Sequence, residues 1–306
     1  MIIGSSFVIR LPSLLPIPVA ERLRTPTLNL LRMTTPSLYK HIGVASTFSP
    51  RFLQVLSEAK RIQNRFGSQL NLIYVGERSA ETDRKFSEVL GALELPLDSP
   101  IHYAKGDPAA CILGVAKDKA MDMIVAGALE KEVVLHPFLG NVARRLVREA
   151  CCSVMLFTQP DADPKPLKRI VFVADYSDHS REALKKTIAL AAAEKSQRLY
   201  VIRIVTTFDE IRAARETSSA QRESKTSADE ETALEELVLS TGQTEVPIEV
   251  RCIRGNTGLA GSDFVQSVEA DLLVVPVTAR QNADEPLPAN IAWITDVIPC
   301  NLWVIR

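Results

Sequence analysis

HIGVASTFSPRF (residues 41–52) recurs as RIVFVADYSDHS (residues 169–180). An internal repeat governs how every later motif is read, because each copy is one supersecondary unit. Further pairs extend it. SQLNLIYV (68–75) matches SQRLYVIRI (196–204), and KGDPAACILGVAKDKAMDMIVAG (105–127) matches RGNTGLAGSDFVQSVEADLLVVP (254–276). Ala45 and Ala174 are 129 residues apart, as are Leu70 and Leu199, whereas Gly106 and Gly255, like Asp122 and Asp271, are 149 apart. The jump of 20 places an insertion in the second copy, supplied by the charged segment 206–237.

Within each copy, short runs rich in β-branched or aromatic residues (IGVAS, LNLIYV, MIVAG, SVMLF) alternate with helical spacing, as in Phe52, Val55, Leu56, Ala59 and Ile62. Strands apolar on both faces and separated by helices describe a parallel sheet covered on both sides. The expected architecture is α/β, with two tandem Rossmann-like domains, each a five-stranded parallel sheet flanked by helices. The expected boundaries are an extension over 1–37, a first domain over 38–160, and a second over 161–306 carrying a helical insertion near 206–237. Ligands of such sheets bind beyond the carboxyl ends of the strands, where the strand order reverses.

Composition narrows the function classes. With 36 basic and 37 acidic residues the net charge is −1, so no overall field draws the chain to nucleic acid or to an anionic membrane. Cys111, Cys151, Cys152, Cys252 and Cys300 form no CxxC and no zinc spacing, which reads as a reduced, cytoplasmic protein without a metal site. The apolar leader is interrupted by Arg10, Pro12, Pro16, Pro18 and Pro26, against the roughly 20 uninterrupted apolar residues a membrane helix needs. It reads as a disordered extension or as an upstream start in place of Met33, with an organelle-targeting or membrane-skimming arm as the other reading.

The ordered series of first strand, long helix, LNLIYV, KGDP before a helix, DMIVAG, a long loop, LGNVARRLVREA and CSVMLF resembles the universal stress protein family in its tandem two-domain form. The resemblance covers Tyr39 to Arg306 and implies an adenine nucleotide alpha hydrolase-like fold. ATP-binding members carry Gly, two residues, Gly, nine residues, Gly and Ser or Thr after the fourth strand, with an Asp ending the first strand and facing the adenine. On that pattern the candidate nucleotide-binding residues are Ser46, Gly127, Glu130, Gly140 and Asn141 in the first half and Asp175 in the second. Ser46 stands where the family has Asp, and Glu130 puts a carboxylate where it has glycine. Asp175 matches the family's Asp, but its half lacks a glycine after Asp271. ATP is therefore the implied ligand of a site divided between unequal halves.

Gly140-Asn141 at a helix start reads either as an anion seat or as a turn and cap. Asp175 likewise reads as nucleotide contact or helix cap, and Asp122 and Asp271 as turn or cap residues. Arg144 and Arg145 follow one turn into the helix. His41, His102, His136 and His179 join no Ser, Cys or carboxylate pattern, so no catalytic residue is expected beyond weak ATPase activity. Cys151 and Cys152 read as burial of the fifth strand or as redox sensing. The expected function is a regulatory protein of the stress response that binds one ATP in its first half. The alternative is a nucleotide-independent protein-interaction or small-ligand module. Protein partners are expected but not named by the sequence. The strands CSVMLF and CNLWVIR are expected to pair the domains, and the resemblance also allows a homodimer of whole chains.

Overall fold

Asp122 and Asp271 show how the two copies are built. The Asp122 carboxylate accepts the backbone N–H groups of Lys40 (2.7 Å) and His41 (2.8 Å). Asp271 accepts those of Lys168 (2.7 Å) and Arg169 (2.8 Å) in the same way. Each aspartate thus ties the turn before a fourth strand to the start of a first strand, satisfying donors at the strand's entry that water would otherwise have to serve. The computed structural model in which these contacts occur describes residues 38–128, 139–207, 226–242, 244–255, 259–278, 287, 291–295 and 297–306. The leading arm, Glu130, His136 and most of the charged insertion lie outside the described residues.

The first half runs β1 (His41–Ser46), α1 (Phe52–Phe66), β2 (Gln69–Val75), α2 (Ala80–Ala92), β3 (Ile101–Ala104), α3 (Pro108–Asp118), β4 (Met123–Gly127), α4 (Asn141–Glu149) and β5 (Ser153–Phe157). The second half runs β6 (Arg169–Val173), α5 (Asp178–Glu194), β7 (Arg198–Thr206), α6 (Ser227–Leu239), β8 (Ile248–Gly255), α7 (Leu259–Ser267), β9 (Leu272–Pro276), a 3-10 turn (Ala292–Thr295) and β10 (Asn301–Ile305). All strands join one ten-stranded sheet in the order β3-β2-β1-β4-β5-β10-β9-β6-β7-β8. Each half is a parallel, doubly wound five-stranded unit, as expected. β5 and β10 pair antiparallel at the centre, joining the two units as the sequence reading anticipated. α6 lies between β7 and β8 as α2 lies between β2 and β3, so the extra length of the second half precedes α6.

The hydrogen-bonded registers correct one part of the repeat alignment. Gly43 and Val44 stand beside Ile124 and Val125, while Val171 and Phe172 stand beside Leu273 and Val274. Since β4 and β9 differ by 149, β1 and β6 differ by 128, not 129. The helices follow suit. Gly67 and Lys195 both end their helices in the left-handed region (φ 66° and 54°), and Ser68 and Ser196 each donate to a carbonyl, Tyr39 or Leu167, at 2.6 Å. The missing residue is found at the entry to β7, where the N–H groups of Gln197 and Arg198 both donate to Lys168 O (2.7 and 3.1 Å). In the first half Gln69 N–H alone serves Lys40 O at this point (2.7 Å). This is a bulge, two residues opposing one. It makes Ser46 the counterpart of Ala174, and Thr47 the counterpart of Asp175.

The core lies in two layers, one on each face of the sheet. α1, α2, α5 and α6 cover one face around Trp303, Phe86, Phe157 and Phe172, all at most 1% exposed, and α3, α4 and α7 cover the other. No helix among the described residues is long and apolar enough to cross a membrane.

The two helix ends give a direct test. A Cβ at Gly67 would meet no atom within 4 Å, so Gly67→Ala should lose stability through its left-handed backbone alone, by about 1 kcal/mol. Lys195→Gly should gain up to about the same amount. Denaturant unfolding of the two variants is expected to shift the midpoint in opposite directions.

Candidate ligand cavity

The sheet order reverses between β1 and β4, and a cavity of about 440 Å³ opens there beyond their carboxyl ends. Ser46, Gly127, Gly140 and Asn141 all line it, so four of the six candidate residues come together. Ser46 is 4% exposed and its hydroxyl donates to Val44 O (3.0 Å), leaving its oxygen lone pairs, not its proton, for a ligand. Gly127 is held to glycine by packing: a Cβ there would lie 2.9 Å from Val55 Cγ2. Gly140 precedes α4 with an ordinary φ of −63°, and no side chain caps that helix. The opening N–H groups and the positive end of the α4 dipole therefore face the cavity mouth, an arrangement that suits an anion.

The walls are aromatic and aliphatic. Phe48, Phe52 and Tyr74 line one side, with Phe48 and Tyr74 ring centroids 5.0 Å apart, and Ile112, Leu146 and Phe157 line another. Among the described lining residues Arg51 alone is charged. Such a cavity buries a flat apolar or heteroaromatic body and meets its polar end at one rim. Thr47 at the mouth donates to Ser49 Oγ (3.1 Å) and occupies the position that Asp175 takes in the second half. The sequence reading passed over Thr47 because the repeat was aligned one residue out. It assigned Phe52 to the helix core alone and gave Phe48 no role.

Arg145 does not point its charge at the cavity unopposed. Its guanidinium bonds Glu149 (2.9 and 3.0 Å) and the carboxylate of Asp107, which also caps α3 by accepting Ala110 N–H (2.9 Å). The Ala110 N–H, followed by Arg145, holds the Asp107 carboxyl below the usual carboxylate range. Arg145 thus clasps α4 to the start of α3, and the exposed Arg148 faces solvent.

At the equivalent place in the second half, bulkier side chains stand among the described residues. Ala126 and Ala128 are replaced by Val275 and Val277, and Arg145 by Trp293, which is 5% exposed within the core. The indole is accommodated by Gly261, the counterpart of Ile112. A Cβ there would lie 3.2 Å from Trp293 Cζ2 and 2.4 Å from Ile204 Cδ1. The aromatic pair Phe48–Tyr74 becomes Tyr176 under the Arg203 guanidinium at 5.4 Å. Asp175 belongs to the second half and does not line the cavity. Its carboxylate accepts Ser177 N–H (3.0 Å) and the Ser177 hydroxyl, which itself caps α5. Glu130 lies outside the described residues.

A model of the "Universal stress protein family" matches residues 77–158 and 166–306. The chain belongs to the universal stress protein family. Among solved structures, this universal stress protein is similar to a protein of unknown function from Pseudomonas aeruginosa PAO1 (17% identity, 88% of this chain and 93% of that one, TM-score 0.64). It is also similar to a putative universal stress protein from Pseudomonas aeruginosa UCBPP-PA14 (16%, 88% and 94%, 0.65). A universal stress protein from Archaeoglobus fulgidus DSM 4304 is a third (13%, 87% and 96%, 0.59). At these identities the likeness is one of fold, extending over both halves. No curated protein sequence matches the chain.

The packing of Ile204 and Trp293 against Gly261 predicts a contrast between two glycines. Gly261→Ala should cost about 1–3 kcal/mol by overpacking against Ile204 and Trp293. Gly114→Ala, in α3 where a Cβ meets nothing within 4 Å, should stabilise by about 0.5–1 kcal/mol, read by chemical denaturation. The cysteines give another expectation. Burial pushes the Cys152 thiol up to about 12, so its thiolate is roughly one part in 10⁴ at pH 8, whereas Cys151 is exposed. Thiol labelling of the native protein at pH 8 should modify Cys151 and spare Cys152 until the protein unfolds.

Proposed function

We propose that this universal stress protein is a regulatory protein of the stress response that binds one adenine nucleotide in its first half. The observation that carries the reading is the convergence of Ser46, Gly127, Gly140 and Asn141 on one aromatic-walled cavity whose mouth meets the uncapped start of α4. The base would lie against Phe48 and Tyr74, the hydroxyl oxygens of Ser46 and Thr47 would accept at its polar edge, and a phosphate would sit at the N–H groups following Gly140. Binding, not turnover, is the expected activity, and occupancy of the cavity would govern which protein partners are engaged. Asp175 would brace Ser177, the cap of α5, and take no part in the site.

One observation supports a second reading. The walls are apolar and Arg145 is already paired to Asp107 and Glu149, so no free cation waits for a polyphosphate beside α4 among the described lining residues except Arg51. On that reading the ligand is a small aromatic molecule with at most one acidic group.

Gly140→Asp places a carboxylate at the start of α4. Coulomb repulsion of about 1 kcal/mol in water, and several times that in a partly dry site, should weaken MgATP binding about tenfold or more. Isothermal titration of wild type and variant with MgATP, adenosine and benzoate separates the readings. Nucleotide affinity lost in the variant supports the first. Equal adenosine binding by both proteins with no gain from phosphate supports the second. Absence of heat with any of the three would reject both.

A further inference from the structure

The seam between the halves is close to a two-fold symmetric contact, yet its chemistry is not symmetric. β5 and β10 pair through Val154 with Val304, Met155 with Trp303, and Leu156 with Leu302. With the two strands 148 residues apart, Met155 and Trp303 are counterparts, so the local axis passes between them. At such an axis a residue meets its own counterpart, and every other contact is repeated in mirror roles. Here a fully buried indole faces a methionine. The rings of Tyr39 and Phe66 from the first half stand 6.1 and 5.8 Å from Trp303.

The helices above the seam repeat the asymmetry in charge. Arg61 and Arg65 of α1 reach Glu194 of α5 at 2.9 and 2.7 Å, and the Glu194 side chain has no solvent exposure. Glu194 also accepts Leu167 N–H (2.9 Å), and Arg61 bonds Glu58 of its own helix (2.7 Å). In the 128-residue register the counterparts of Arg61 and Arg65 are Ala189 and Ala193, and that of Glu194 is Phe66. Two second halves paired through this surface would bury two glutamates against alanines. Two first halves would set four arginines against phenylalanines. Each leaves buried charge without a partner, and like pairing also sets Trp303 against Trp303 or Met155 against Met155.

We infer that the Arg61/Arg65–Glu194 network and the Met155–Trp303 contact make this seam a surface that accepts only the opposite half, so that its one competing partner is the opposite half of a second copy of this chain. Residues 158–168 join β5 to β6 and reach at most roughly 36–40 Å when extended, so an exchange of halves between two copies would have to release this segment from its contacts with Ser57 and Asn301.

Charge reversal on full-length chains tests this. Arg61→Glu with Arg65→Glu makes an acidic seam, and Glu194→Arg makes a basic one. Alone, each variant should melt well below wild type. Mixed, with one partner tagged, they should form a 1:1 complex of twice the 33.7 kDa chain mass, because each first half finds a complementary second half on the other chain. Two wild-type chains, one tagged, should co-purify far less, and the triple variant should regain the wild-type melting temperature and resist exchange. Should either variant fail to fold alone, the pair is refolded together from denaturant, where the 1:1 complex is again expected. A mixture that gives only the species each variant gives by itself, a reversed variant that melts like wild type, or a triple variant that is not rescued would overturn the inference.

Discussion

The antiparallel contact of β5 with β10 is the constraint on which the rest of the structure depends. Each five-stranded half ends in a strand whose outer edge would otherwise present unpaired N–H and C=O groups. Joining the two edges satisfies both and extends one sheet across the chain. It also lets α1 and α5 share a single core layer, in which Trp303 of the second half rests beside Tyr39 and Phe66 of the first. The buried Glu194 is tolerated there because two guanidiniums and a backbone N–H surround it.

The same joining leaves each half free to specialise. The first half keeps small residues at Ala126, Gly127 and Ala128 around the switch point and leaves α4 uncapped beside an aromatic-walled cavity. The second places Val275, Pro276 and Val277 at those positions and turns Trp293 inward over Gly261. Small residues border a cavity in the first half, and their described counterparts in the second half pack into core. Family membership rests on both halves, whereas the proposed binding rests on one.

Most of the fold was legible because strand and helix periodicity are local. Each β run is apolar on both faces and each helix carries its stripe, so the α/β class and the repeat could be read directly, whereas the insertion expected over 206–237 took in the start of α6, the counterpart of α2. Asp122 and Asp271 were legible as turn or cap residues for the same reason. The alignment around the first strands was not. One bulged residue at Gln197 and Arg198 shifts the register by one, and a bulge is a property of paired backbones that no spacing in the chain records. That single residue concealed Thr47 as the counterpart of Asp175. The role of Phe48 was hidden similarly, since a phenylalanine after a strand becomes a cavity wall only when Tyr74 and Phe86 are brought beside it.

By itself the sequence determined the family, the doubly wound halves, the candidate glycines and the inequality of the two sites, all of which follow from residue type at fixed local spacing. Only the tertiary structure decided that Asp175 is engaged as part of a cap, that Arg145 is held by Asp107, and that Trp303, Arg61, Arg65 and Glu194 make the seam one-sided. Apart from the local Asp175–Ser177 contact, those outcomes depend on side chains from 38 to well over 100 residues apart meeting in space, where burial, charge pairing and packing act on neighbours the chain order does not reveal.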